Sequence, residues 1–133
     1  MSRSLRGIIV FFILSAVPSL ATAKRKGPAP VPSVTHEGVR YQVIHFGKSR
    51  GLGQNGGLLE AVDHKTGKRL WVLTVYKIAY DQRTEADKQD VFIVSMAREG
   101  DSLVVVNEAK ERYRVDLKTR AVRRVAAQGK PPR

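Results

Sequence analysis

Apolar residues recur along most of this chain with the two-residue period of a β-strand. Val39 to Phe46 reads VRYQVIHF, which places Val39, Tyr41, Val43 and His45 on one face. Asp90 to Ala97, Ser102 to Asn107, Glu111 to Leu117 and Arg120 to Val125 follow as four further short strands, separated by Gly100-Asp101, Ala109-Lys110 and Lys118-Thr119. Connections that short join antiparallel neighbours.

The clearest signal is Leu58 to Tyr80, LLEAVDHKTGKRLWVLTVYKIAY, which reads as two strands joined by a tight Lys65-Thr66-Gly67 turn. Through most of Lys68 to Tyr80 both faces are apolar, with Leu70, Val72, Thr74, Tyr76, Ile78 and Tyr80 on one and Trp71, Leu73, Val75 and Ala79 on the other. Such a strand belongs at a sheet centre or between layers, so Trp71 is expected inside the core. Asp81 to Gln89 is polar, and Thr84 three residues before Asp87 predicts one capped helical turn. The predicted fold is all-β: about seven antiparallel strands forming a sandwich or a small open barrel, with helix minor.

The first residues break this pattern. Arg3 and Arg6 precede an apolar run from Ile8 to Val17, and Ala21-Thr22-Ala23 supplies small residues for cleavage, which is the layout of a secretory signal peptide. An uncleaved anchor is the alternative, but Ile8 to Ala23 is shorter than the roughly 20 residues that a spanning helix needs. The expected organisation is a signal peptide at 1–23, a proline-rich basic leader at 24–35, one β domain at 36–125 and a disordered basic tail at 126–133. With no transmembrane segment after cleavage, the expected location is the periplasm or the exterior. The chain has no cysteine, so the exported domain must hold together by packing, and thiolate zinc sites are excluded.

Charge adds a surface property. Lys and Arg number 24 against 12 Asp and Glu, a formal net charge of +12, which attracts polyanions over about a Debye length. The densest basic patch is the last hairpin, where Arg112 and Arg114 alternate with Tyr113 and Val115, and Lys118, Arg120, Arg123 and Arg124 follow. A plain solvated edge, kept from pairing with other chains by its charge, explains the same residues.

Other chemistry is thin. Gly51-Leu52-Gly53-Gln54-Asn55-Gly56 matches the spacing of a dinucleotide fingerprint, but a strand follows it where a helix N-terminus is needed. The stretch 47–57 reads instead as a mobile loop, with Lys48 and Arg50 as additional anion-binding candidates. His36, His45 and His64 are scattered, and a metal site would require His45 and His64 to meet beside a carboxylate. No catalytic residue, metal ligand or cofactor is implied. Asp81, Glu85, Asp87 and Asp90 concentrate acid in one connection, which reads as a solvated turn or as half of a self-association contact.

Val62-Asp63-His64-Lys65-Thr66 and Val115-Asp116-Leu117-Lys118-Thr119 share a Val-Asp-x-Lys-Thr core, 53 residues apart. Ala61 to Trp71, AVDHKTGKRLW, resembles the blade motif of quinoprotein-type β-propellers, in which an Asp, a Thr-Gly turn and a Trp recur in each blade. The resemblance implies a repeat of blade length, but a chain this short supplies two blades where a closed propeller needs at least about four. None of that family's quinone-binding residues has a match here. The mature region as a whole resembles small exported bacterial β proteins.

The expected function is an exported, envelope-associated binding or interaction module for an anionic ligand or an envelope protein. The alternatives are a small hydrolase or hydrolase inhibitor built around His45 and the glycine loop, and a structural subunit that completes its sheet by oligomerising.

Overall fold

The computed structural model describes residues 26–126. The stretch 1–23 read as a signal peptide, the leader residues Lys24 and Arg25, and the tail residues 127–133 lie outside that range. The described chain forms eight strands: β1 (Val34–His36), β2 (Val39–Ile44), β3 (Leu58–Asp63), β4 (Arg69–Thr74), β5 (Ile93–Glu99), β6 (Ser102–Asn107), β7 (Arg112–Asp116) and β8 (Val122–Val125). One four-residue helix, α1 (Ala86–Gln89), and one 3-10 turn, Lys48–Arg50, are the helical content of the described residues. The all-β expectation holds, and the architecture is sandwich-like rather than a closed barrel. Each half is an antiparallel meander, in the orders β1-β2-β3-β4 and β5-β6-β7-β8.

Tyr41, Leu59 and Ala61 of the first sheet meet Ile93, Leu103, Val105 and Val115 of the second in one core. The two sheets use opposite faces of a shared pattern to do so. Asp63 and Asp116 mark equivalent turns, so Leu59 and Ala61 are matched by Arg112 and Arg114. The first pair points inward, whereas the second pair lies on the face away from the core, and the alternating Tyr113 and Val115 fill the interior. The sheets are therefore stacked front to back, and both outward faces carry charge where a further stacked sheet would need apolar side chains.

The equivalent turns share every local bond. Asp63 Oδ1 accepts the amides of Lys65 and Thr66, both at 2.9 Å, and Asp116 Oδ1 accepts those of Lys118 and Thr119 at 2.8 and 2.9 Å. In both, the threonine hydroxyl accepts an amide two residues on, at 3.2 Å. These amides hold both carboxyls below the usual aspartate range. The left-handed position is Gly67 in the first turn and Arg120 in the second, with φ of 72° and 64°.

Three expectations change. An additional strand, β1, begins inside the stretch read as leader, and Val31 and Val34 pack against the core. The long apolar run after Lys68 is not a central strand: β4 ends at Thr74 and forms an edge, while β3 is buried from Leu58 to Val62. Trp71 is accordingly half-buried, and a bulge between Ala61 and Val62 sets it opposite Ala61 and against Tyr41, 5.8 Å between ring centroids. Beyond Thr74 the apolar residues serve the crossover between sheets, where Tyr76 stacks on Tyr113 at 5.1 Å.

The third change concerns the glycine loop, which is packed in place. Gln54 is buried, donates from Nε2 to the carbonyls of Gly56 and Tyr76 at 2.9 and 2.8 Å, and accepts the amide of Ile78 at 3.2 Å. One side chain thus satisfies three backbone groups of loop and crossover, the condition for burying irregular chain.

Candidate anion-binding face

The alternation of β7 places Arg112 and Arg114 on the outward face of the second sheet, and the register brings Arg123 of β8 directly opposite Arg114. A hollow of about 330 Å³ opens there, lined by Ser102, Arg114, Asp116, Ala121, Val122 and Arg123. A second hollow of about 530 Å³ lies beside it, bounded by Lys110, Glu111, Arg112 and Arg124. Arg114 donates from Nη2 to Glu99, while its buried Nε has no hydrogen-bond partner. Among the described residues Arg112 and Arg123 form no ion pair. Like charges set directly across a ladder repel, and Glu99 offsets part of that repulsion from the Arg114 side, leaving Arg123 without an ion pair among the described residues.

Of the remaining basic candidates, Arg124 lines the second hollow but not the first, and the others line neither. Arg124 sits opposite Tyr113 on the other side of the strand and pairs with Glu111 at 2.9 Å. Lys118 pairs with Asp101 at 3.3 Å, and Arg120 lies over the Trp71 ring, 5.8 Å from its centroid. Lys48 and Arg50 belong to the 3-10 turn beside the first sheet. Lys48 Nζ stands 3.9 Å from the centroid of the Tyr80 ring, and Arg50 is committed to Glu60. What reads as one patch along the chain is a trio of outward arginines, of which Arg114 is paired with Glu99, and several cations paired elsewhere.

Arg50 belongs to a network that sequence reasoning missed. Glu60, at the middle of β3, has a side chain only 7% exposed. It accepts both terminal nitrogens of Arg50 at 3.2 and 2.8 Å, Nε of Arg69 at 2.9 Å and Nε2 of Gln42 at 3.0 Å. Led by the Arg50 bonds, these hold the Glu60 carboxyl down at about 2. The visible signal was Glu60 itself, a lone charge in the apolar run LLEAV, which burial requires to be paired. The network clamps the glycine loop to the first sheet.

The histidines do not converge. His45 Nε2 lies 3.0 Å from the Ala29 carbonyl, and its ring contacts Phe46 and Phe92. Among the described residues one trio has metal-ligand spacing: His36 Nε2 lies 3.7 Å from Glu37 and 3.5 Å from Asp101. Lys118 already supplies positive charge to Asp101, whose carboxyl sits below its usual range first because of that lysine and then because of His36. The trio therefore ties the β1–β2 turn to the β5–β6 turn.

Among the described residues no helix is long and apolar enough to cross a membrane. Comparison with models of known protein families gives no match, and comparison with curated proteins gives none either.

Proposed function

We propose that this chain is an exported, non-enzymatic binding module that takes an anionic ligand of the cell envelope on the outward face of its second sheet. Arg112, Arg114 and Arg123 carry the binding, and Ser102 contributes a hydroxyl to the same hollow. The supporting observation is Arg114 directly across the ladder from Arg123, with Arg112 two residues along on the same face. Export rests on the signal layout of the first 23 residues.

The test uses long-chain inorganic polyphosphate and, separately, vesicles containing phosphatidylglycerol, which distinguish a soluble polyanion from a lipid headgroup. The triple variant Arg112→Gln, Arg114→Gln, Arg123→Gln is expected to lower the slope of log affinity against log salt by about 2 to 3 units, near one per contact removed. Its melting temperature should stay close to that of the wild type, because half-exposed substitutions of this kind change stability little. An unchanged slope and affinity with both probes would sink the proposal.

A further inference from the structure

The outward face of β7 carries more than its arginines. Two-residue alternation puts Asp116 on the same side as Arg112 and Arg114, and the register sets Ser102 of β6 directly across the ladder from it. The hollow of about 330 Å³ is therefore lined by two polar rows. One is the cation pair Arg114 and Arg123, and the other is Ser102 with Asp116. Two residues along the strand separate the rows, about 7 Å.

A carboxylate is the wrong group for a bare polyanion. Asp116 Oδ1 accepts the Lys118 and Thr119 amides, and among the described residues Asp116 forms no ion pair with Arg114 or Arg123. An ionised carboxylate accepts hydrogen bonds and donates none, so a phosphate oxygen set against it is repelled. A hydroxyl fits, because it donates to Asp116 while the Ser102 hydroxyl can donate to it or accept from it. Cations in one row and an acceptor with a hydroxyl in the next select an anion that carries its own hydroxyl a short carbon arm away.

We infer, on the anion-binding reading of this face, that the hollow is a polyol-phosphate site. Arg114 and Arg123 take the phosphodiester, and Ser102 and Asp116 take a hydroxyl on the adjoining carbon chain. The ligand chemistry is that of glycerol phosphate, which soluble polymers and lipid headgroups both present.

Dissociation constants for two matched pairs of probes test this. The first pair is poly(glycerol phosphate) against poly(propane-1,3-diol phosphate) of equal length, and the second is vesicles of phosphatidylglycerol against vesicles of phosphatidylpropanol. Within each pair the charge is the same and only the hydroxyls differ. The wild type should favour the hydroxyl-bearing member about tenfold in at least one pair, as expected of a hydrogen bond to a charged group, and the pair that shows it identifies the source as polymer or headgroup. Asp116→Asn keeps an Oδ1 acceptor for the turn but removes the charge. It should lose most of the preference and bind the hydroxyl-free member more tightly, because the repulsion is gone. Ser102→Ala should also reduce the preference. Equal affinity within both pairs, with every probe still weakened by the Arg112, Arg114 and Arg123 substitutions, would overturn the polyol assignment and leave anion binding standing. A preference that neither variant alters would overturn it as well. Failure of all four probes to bind would overturn anion binding itself.

Discussion

Replacing Gly56 with alanine is expected to cost roughly 3 kcal/mol or more, the larger part of the stability of many domains this size. Gly56 has φ of 86°, and a Cβ there would stand 2.2 Å from the Val91 carbonyl oxygen and 2.9 Å from its carbon. Left-handed backbone alone costs about 1 to 2 kcal/mol for a side chain. The rest follows from displacing the crossover at Val91 and Phe92. Gly67 is the internal control: φ is 72°, but nothing lies within 4 Å of a Cβ built there. Urea unfolding of Gly56→Ala and Gly67→Ala should show the first losing clearly more stability. Equal losses would mean that the glycine loop is not packed against the crossover.

The second large effect is an acid transition centred on Glu60. Its carboxyl is held at about 2, below its ordinary 4.5, first by the Arg50 hydrogen bonds and then by those of Gln42 and Arg69. A depressed folded-state value means that the stabilisation is complete above pH 4.5 and is lost as pH falls toward 2. The linkage is worth about 3 kcal/mol. Urea unfolding of the wild type across that window should show the loss. Glu60→Gln should be less stable at neutral pH and nearly flat over the same range, apart from the smaller contributions of Asp63, Asp101 and Asp116. A variant as acid-sensitive as the wild type would remove Glu60 from this role.

How much of this was legible in the chain depended on how local each feature is. Strands β2, β3 and β5 to β8 follow from alternation interrupted by short polar turns, both of them properties of adjacent residues. Strand β1 escaped because it is three residues long and follows a proline-rich run whose anchorage, through Val31 and His45, is set by tertiary contact. The run from Lys68 to Tyr80 was misread as one central strand because burial in a crossover and burial in a sheet leave the same apolar pattern. Only the buried Gln54 amide, whose carbonyl accepts Ile78 N, shows where sheet gives way to loop.

The sites divide the same way. Arg112, Arg114 and Arg123 were recognisable because two-residue alternation fixes their face. The Glu60 cluster was not, because strand register brings Gln42 and Arg69 to it and the packing of the 3-10 turn brings Arg50. Lys118 and Arg124 were grouped with the trio on proximity in sequence, and their partners Asp101 and Glu111 come from other turns.

Site-resolved mapping of polyanion binding tests the central claim most directly. In a ¹H–¹⁵N NMR titration with polyphosphate, the account predicts shifts concentrated on Ser102, Arg112, Arg114 and Arg123, with the Arg50, Glu60 and Arg69 region of the first sheet still. Shifts centred on that first-sheet cluster, or spread evenly over every exposed lysine and arginine, would contradict it.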